Sequence, residues 1–257
     1  MQTTRRLPFA WIAIYGAIIG VTSYVPLIPY VTGGGFLPLS ISLAAIAPLL
    51  LGFGPGILAA LVGGLIGMFI NPAAYPFGVL DAFFVGMAPA IFCGFAFKGP
   101  DRILRIIYVA ILVLSGILAE IVPYYYPGSS GGFSDPPQPQ YVLLVAFFFV
   151  PWLILYMLPI GTRYIHRWLN SEDPKYRLGG MLVGTTIGLL PWSLWMVVPV
   201  ALTLNWPPEL TIATWVFGGW SRAILSVIAS VIAVPLTRAL ARSGLPVPPG
   251  AIWEPKR

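Results

Sequence analysis

The sequence predicts an all-α, polytopic membrane protein: a single transmembrane domain over residues 1–257 with about eight transmembrane helices. Three observations carry this expectation. Charged residues make up 9% of the chain and apolar residues 58%, with a mean hydropathy of +0.88, whereas a soluble domain carries about 25% charged residues. So few charges cannot cover a globular surface in water, while in lipid apolar side chains face outward at no cost. Apolar runs recur between Pro, Gly and charged residues, and a spanning helix needs about 20 mainly apolar residues. The basic residues, finally, fall in clusters that alternate with loops free of Lys and Arg.

In chain order the expected spans are 9–30, 38–52, 55–71, 77–97, 103–123, 141–164, 178–204 and 211–240. Thr4-Arg5-Arg6-Leu7-Pro8-Phe9 faintly resembles a twin-arginine signal. The apolar stretch nevertheless runs on to about Tyr30, beyond the roughly 7–15 residues of a cleaved signal, so a retained first helix is expected. The second and third spans are short and joined by Gly52-Phe53-Gly54-Pro55-Gly56. Pro48 interrupts the second, which predicts a tilted, broken or partly re-entrant element. Non-helical backbone at membrane depth is tolerated only where protein or a wet cavity satisfies it, which makes that region a candidate functional element.

The charges fix the expected topology. Arg5 and Arg6 precede the first span; Lys98, Arg102 and Arg105 lie between the fourth and fifth. Arg163, Arg167, Lys175 and Arg177 lie between the sixth and seventh, and Arg238, Arg242, Lys256 and Arg257 follow the last. With eight spans all thirteen share one side, and the opposite loops, 31–37, 72–76, 124–140 and 205–210, hold no Lys or Arg. The positive-inside rule then makes the protein multi-pass in the cell membrane with both termini cytoplasmic. The net charge of +6 is topological, not a sign of nucleic acid. The loop 124–140 is rich in Gly, Ser and Pro, which predicts an extended cover, with Tyr124–Tyr126 as interface anchors.

Chemistry is sparse. Single copies of Cys93 and His166 disfavour a His/Cys metal site, and no cofactor is expected. His166 lies beside Arg163 and Arg167 on what reads as a solvated basic face, and no Ser/His or paired-carboxylate arrangement marks an enzyme. Small residues are better organised. Ala13-x-x-x-Ala17 and Gly16-x-x-x-Gly20 lie on the first helix; Gly56, Ala60 and Gly64, then Ala59, Gly63 and Gly67, form two stripes on the third. Such spacing lets a neighbouring backbone approach closely. Internal packing is expected for the third helix. For the first, internal packing and a docking face for another protein both remain open.

Apart from Arg105, Arg163 and Arg238 of the basic clusters at the inner span ends, three charges fall inside spans: Asp81, Glu120 and Arg222. An ionised side chain at mid-bilayer costs about 2.5–3.5 kcal/mol, so such groups are usually paired or face a cavity. Asp81 and Glu120 lie within about 6 Å of the outer boundary and Arg222 about 16 Å in, close enough to meet by snorkelling. A buried ion pair and a polar substrate site are the two readings. Asn71 and Asn205 sit at helix ends as caps. Trp192, Trp195, Trp206, Trp215 and Trp220 crowd the outer half of the last two helices; an aromatic belt explains most of them, and Trp220 is the candidate for stacking on a ligand.

Pro38-Leu39-Ser40-Ile41 and the run Ala47-Pro48-Leu49-Leu50-Leu51-Gly52-Phe53-Gly54-Pro55-Gly56 through Gly63 resemble the substrate-binding (S) components of energy-coupling factor vitamin transporters. That family pairs a short apolar helix, a Gly-Pro turn and a small-residue helix after a first helix bearing Ala-x-x-x-Ala, matched here by Ala13 and Ala17. Trp220-Ser221-Arg222-Ala223 through Leu240 looks like the family's closing helix. The resemblance is best over 9–97 and 211–242, and its motifs persuade by their order. The family has six helices, so the resemblance implies a six-helix core plus a hairpin between 103 and 204. It also implies uptake of a small water-soluble vitamin or related nutrient, driven by a transmembrane coupling protein and ATPase subunits. This chain has no Gly-x-x-x-x-Gly-Lys-[Ser/Thr] loop of its own. The alternative is a non-transporting structural subunit of a bacterial membrane complex.

Overall fold

The computed structural model describes residues 7–30, 35–98, 101–125, 139–204 and 208–253. Its helices are α1 (Leu7–Thr22), α2 (Ser40–Leu51), α3 (Phe53–Ile70), α4 (Val79–Phe97), α5 (Arg102–Tyr125), α6 (Pro139–Met157), α7 (Ile165–Leu169), α8 (Pro174–Leu204) and α9 (Pro208–Arg242). Phe53–Ile70, Val79–Phe97, Arg102–Ala119 and Val216–Arg242 are long and apolar enough to cross a bilayer, while Phe9–Thr22, Ser40–Leu51 and Tyr141–Met157 are apolar but shorter. Phe69, Ile103, Leu143 and Val231 stand exposed on these helices, as on a surface that meets lipid.

The first helix ends at Thr22 and not near Tyr30. Beyond it, β1 (Pro26–Pro29) pairs antiparallel with β2 (Phe36–Pro38), a hairpin that an all-α expectation omits. Pro26 and Pro29 have no amide to continue a helix, and they bias Val25 and Ile28 towards extended backbone. The amides of Ser23, Tyr24 and Val25 close the helix with bonds three residues back.

Helix α2 runs unbroken through Pro48 with all twelve residues buried, so of the expected tilted, broken or partly re-entrant forms only the break is absent. At about 18 Å it is shorter than the ~30 Å hydrocarbon core and lies inside the bundle. Its turn into α3 requires Gly52, whose φ is +85°. The C-terminal segment then folds back over this turn. Trp253 Nε1 donates to the Leu50 carbonyl at 2.9 Å, Ile252 N donates to Leu49 O at 2.9 Å, and Trp11 Nε1 donates to Pro246 O at 3.1 Å. The segment thereby satisfies carbonyls that the end of a helix leaves open.

The two small-residue stripes of α3 serve opposite neighbours. A Cβ on Gly63 would lie 2.5 Å from Ile19 and 2.9 Å from the Gly16 carbonyl of α1; one on Gly64 would lie 2.6 Å from the Ala82 carbonyl of α4. On α1, Ile12, Tyr15, Gly16, Ile19 and Gly20 are buried, while Ala13 and Ala17 are exposed.

Among the described residues two stretches are π-helical: Ala82–Met87 inside α4 and Ile160–Tyr164 between α6 and α7. Helices α8 and α9 pack along a polar seam, with Thr185 Oγ1 3.3 Å from Ser230 Oγ. Of the expected loop 124–140, Tyr124 and Tyr125 belong to α5 and Pro139 and Gln140 to α6; residues 126–138 lie outside the described residues, as do 31–34 and 205–207.

Candidate functional site

Asp81 stands in the first turn of α4, where Gly78, with φ +60°, turns the chain from the preceding loop into the helix. Its carboxylate is fully buried. Oδ2 accepts the Phe77 amide at 2.7 Å, whereas Oδ1 has no hydrogen-bond partner among the described residues. The π segment begins at the next residue. Inside it, the Phe84 carbonyl accepts the indole N–H of Trp192 from α8 at 2.6 Å. That bond sets the ring beneath Arg222 of α9, whose guanidinium carbon lies 4.3 Å from the ring centroid. Such a cation–π contact contributes about 2 kcal/mol or more when desolvated.

Arg222 is buried. Its Nη1 donates to Ser221 Oγ at 2.9 Å, and its Nε has no partner among the described residues. The Arg222 Nε and Asp81 Oδ1 atoms therefore do not bond each other. Tyr30, which follows β1, lies within electrostatic reach of both Asp81 and Arg222. Tyr75, on the loop before α4, is buried with its ring against Gly67, where a Cβ would meet the hydroxyl at 2.5 Å. Burial, opposed by Ser40 and aided by Asp81, holds the Tyr75 phenol above its usual pKa, so it keeps its proton and can donate. The Tyr75 and Ser40 hydroxyls lie close enough to act on each other without a well-aligned hydrogen bond, and among the described residues that of Ser193, the residue after Trp192, has no partner. Helix α2 is tied to α9 close by, through Ser42 Oγ donating to Leu225 O at 3.0 Å.

Asp81 and Arg222 thus both lie within electrostatic reach of Tyr30, in a polar region that draws on α2, the loop before α4, α4, α8 and α9, and among the described residues no contact joins the two charges directly. The side chain of Glu120 lies outside the described residues. Trp220, the expected stacking residue, is 74% exposed; the tryptophan in contact with Arg222 is Trp192, fully buried. Ser40, Tyr75 and Tyr30 are members of the cluster that the sequence does not single out. Ser40 and Ser42 carry a signal that could have found them, as the sole polar side chains of an otherwise apolar helix. Tyr75 carries none. Among the described residues no three His, Cys, Asp or Glu side chains gather as metal ligands would.

Each buried, unpartnered polar group costs about 1–3 kcal/mol. The cluster holds an acceptor at Asp81 and donors at Arg222, Tyr75 and Ser40, so a ligand offering a donor and an acceptor would recover much of that cost. The chain matches no family model, no curated protein and no solved structure.

Proposed function

We propose that this protein is the membrane-embedded substrate-binding component of an uptake system for a small, water-soluble vitamin or related nutrient, energised by separate coupling and ATPase subunits. The observation that carries the reading is that two buried charged side chains keep an atom without a hydrogen-bond partner among the described residues, Asp81 Oδ1 and Arg222 Nε. A scaffold gains nothing from that arrangement, whereas a binding protein needs it. The resemblance to S components over 9–97 and 211–242 supplies the transport class. Arg222 holds an anionic group of the ligand, Asp81 accepts from an amine or N–H, and Trp192 fixes the guanidinium. Ala13 and Ala17 face outward from α1, where a coupling protein would approach.

The test is extraction of purified protein and identification of any bound small molecule by mass spectrometry, for wild type and Arg222→Ala. A nutrient recovered from wild type and lost from a variant that stays folded, less stable by only about the 2 kcal/mol of the lost cation–π contact, supports the reading. If wild type yields no such molecule and Arg222→Ala loses only stability, the protein is a structural subunit.

A further inference from the structure

The hairpin of α6–α7 and α8 ends in a second polar feature, far in sequence from Asp81 and absent from the uptake reading. After Met157 the helix loosens into the π segment Ile160–Tyr164, continues as α7, and turns at 170–173 into α8. An open cavity of about 820 Å³ lies at this tip, lined by Tyr164, His166, Arg167, Trp168, Asn170 and Tyr176 among others. The Tyr164 and Trp168 rings stack at a tilt, with centroids 6.0 Å apart. The Asn170 amide lies 3.4 Å from the His166 ring.

Two properties single out its occupant. The first is charge. Residues 163–177 carry Arg163, Arg167, Lys175 and Arg177 against Glu172 and Asp173, and Arg238 of α9 lies within electrostatic reach of Arg177. Asp173 is engaged locally, accepting the Lys175 amide at 2.8 Å, and Glu172 acts on Arg177. The cavity therefore favours an anion. The second property is the surface leading to it. Ile154, Met157 and Leu158 on one arm, and Leu178 and Leu182 on the other, are exposed apolar side chains within a few turns of the cavity. A free anion has no use for that strip, but an acyl chain does. Tyr and Trp at such a boundary sit at headgroup level, and basic pockets between helices there take anionic lipid headgroups.

We infer that the cavity at the α7–α8 tip is a binding site for the phosphodiester headgroup of an anionic phospholipid, with Arg167 and His166 facing the phosphate, Trp168 and Tyr164 flanking the glycerol, and the acyl chains lying along α6 and α8. The site stands on its own residues and holds whether or not the protein transports a nutrient.

Native mass spectrometry of the full chain in detergent, titrated with phosphatidylglycerol or phosphatidylcholine, tests it. Wild type should retain phosphatidylglycerol in preference to phosphatidylcholine. Arg167→Gln, at an exposed position, should keep its unfolding temperature and lose about fivefold of that preference, the contribution of one basic group near an anionic surface. Arg102→Gln, equally exposed but absent from the cavity lining, should leave the preference intact, and millimolar inorganic phosphate should not displace the lipid. Equal retention of both lipids, equal losses in the two variants, an unaffected Arg167→Gln or displacement by phosphate alone would each overturn the assignment.

Discussion

Replacing Gly64 by Ala tests how tightly α3 is locked against the helix that carries Asp81. A Cβ at this position would stand 2.6 Å from the Ala82 carbonyl oxygen and 3.0 Å from Gly86 Cα. Ordinary contact begins at 3.4 Å, so the two backbones must part by about 0.8 Å, the difference 3.4 − 2.6. Both obstructing atoms are backbone, and no side chain can rotate away. Overpacking costs about 1–3 kcal/mol, and Ala in a helix returns up to about 1 kcal/mol relative to Gly. Gly179→Ala, inside α8, is the matched control, because a Cβ there meets nothing within 4 Å. The propensity gain is largely common to both variants, so their difference isolates the packing cost of about 1–3 kcal/mol. Unfolding by SDS in mixed micelles, followed by circular dichroism, measures it. Gly64→Ala should unfold at lower SDS than Gly179→Ala and should also weaken ligand retention, since Asp81 and Ala82 are neighbours. Coincident unfolding curves would refute the close approach of α3 and α4.

The same packing logic separates the faces of α1. Ala13→Leu and Ala17→Leu, both exposed, should shift stability by no more than about 0.5 kcal/mol while reducing recovery of a co-purified coupling protein. Gly63→Leu should cost the fold itself, and equal damage from all three would assign both faces to internal packing. For topology, single cysteines at 128–134 should react with an impermeant reagent from outside and those at 170–176 only from inside. Native Cys93 is buried and does not interfere. Labelling of both loops from one side would remove the even number of crossings.

The apolar runs and the basic clusters make the helix order legible in the sequence, and the scarcity of intramembrane charge singles out Asp81 and Arg222, both of which the fold buries. Other features cannot be read there. Trp192 and Trp220 are alike in sequence, each on a helix apolar on nearly every side, so no amphipathic face marks which ring turns inward. Burial of Trp192 is decided by the carbonyl of Phe84, on a different helix. The end of α1 is obscured because Val25-Pro26-Leu27-Ile28 is apolar enough to pass for membrane helix, while its prolines favour the hairpin. The return of Trp253 onto Leu50 joins segments about 200 residues apart, a pairing that no local pattern encodes.

The π segments are equally hidden, since Ala82-Phe83-Phe84-Val85-Gly86-Met87 reads as ordinary apolar helix, yet they bear most directly on function. In a bilayer each backbone carbonyl must be satisfied within the protein; a carbonyl of a regular helix meets this with its ladder bond and can accept a second, as Leu225 does from Ser42, whereas a π turn redirects the carbonyls themselves. A π turn widens the ladder by one residue and rotates the rest of the helix by about 100°. At Phe84 the segment presents a carbonyl to Trp192, and Trp192 in turn carries the guanidinium of Arg222. The irregular turn beside Asp81 is thus the element that fixes the opposite charge of the cluster, across two other helices. Restoring regular α-helix there, by deleting one residue between Ala82 and Met87, should release Trp192 and Arg222 together. Quenching of Trp192 fluorescence relative to a Trp192→Phe background would report that release, and an unchanged signal would break the chain of support from α4 to Arg222.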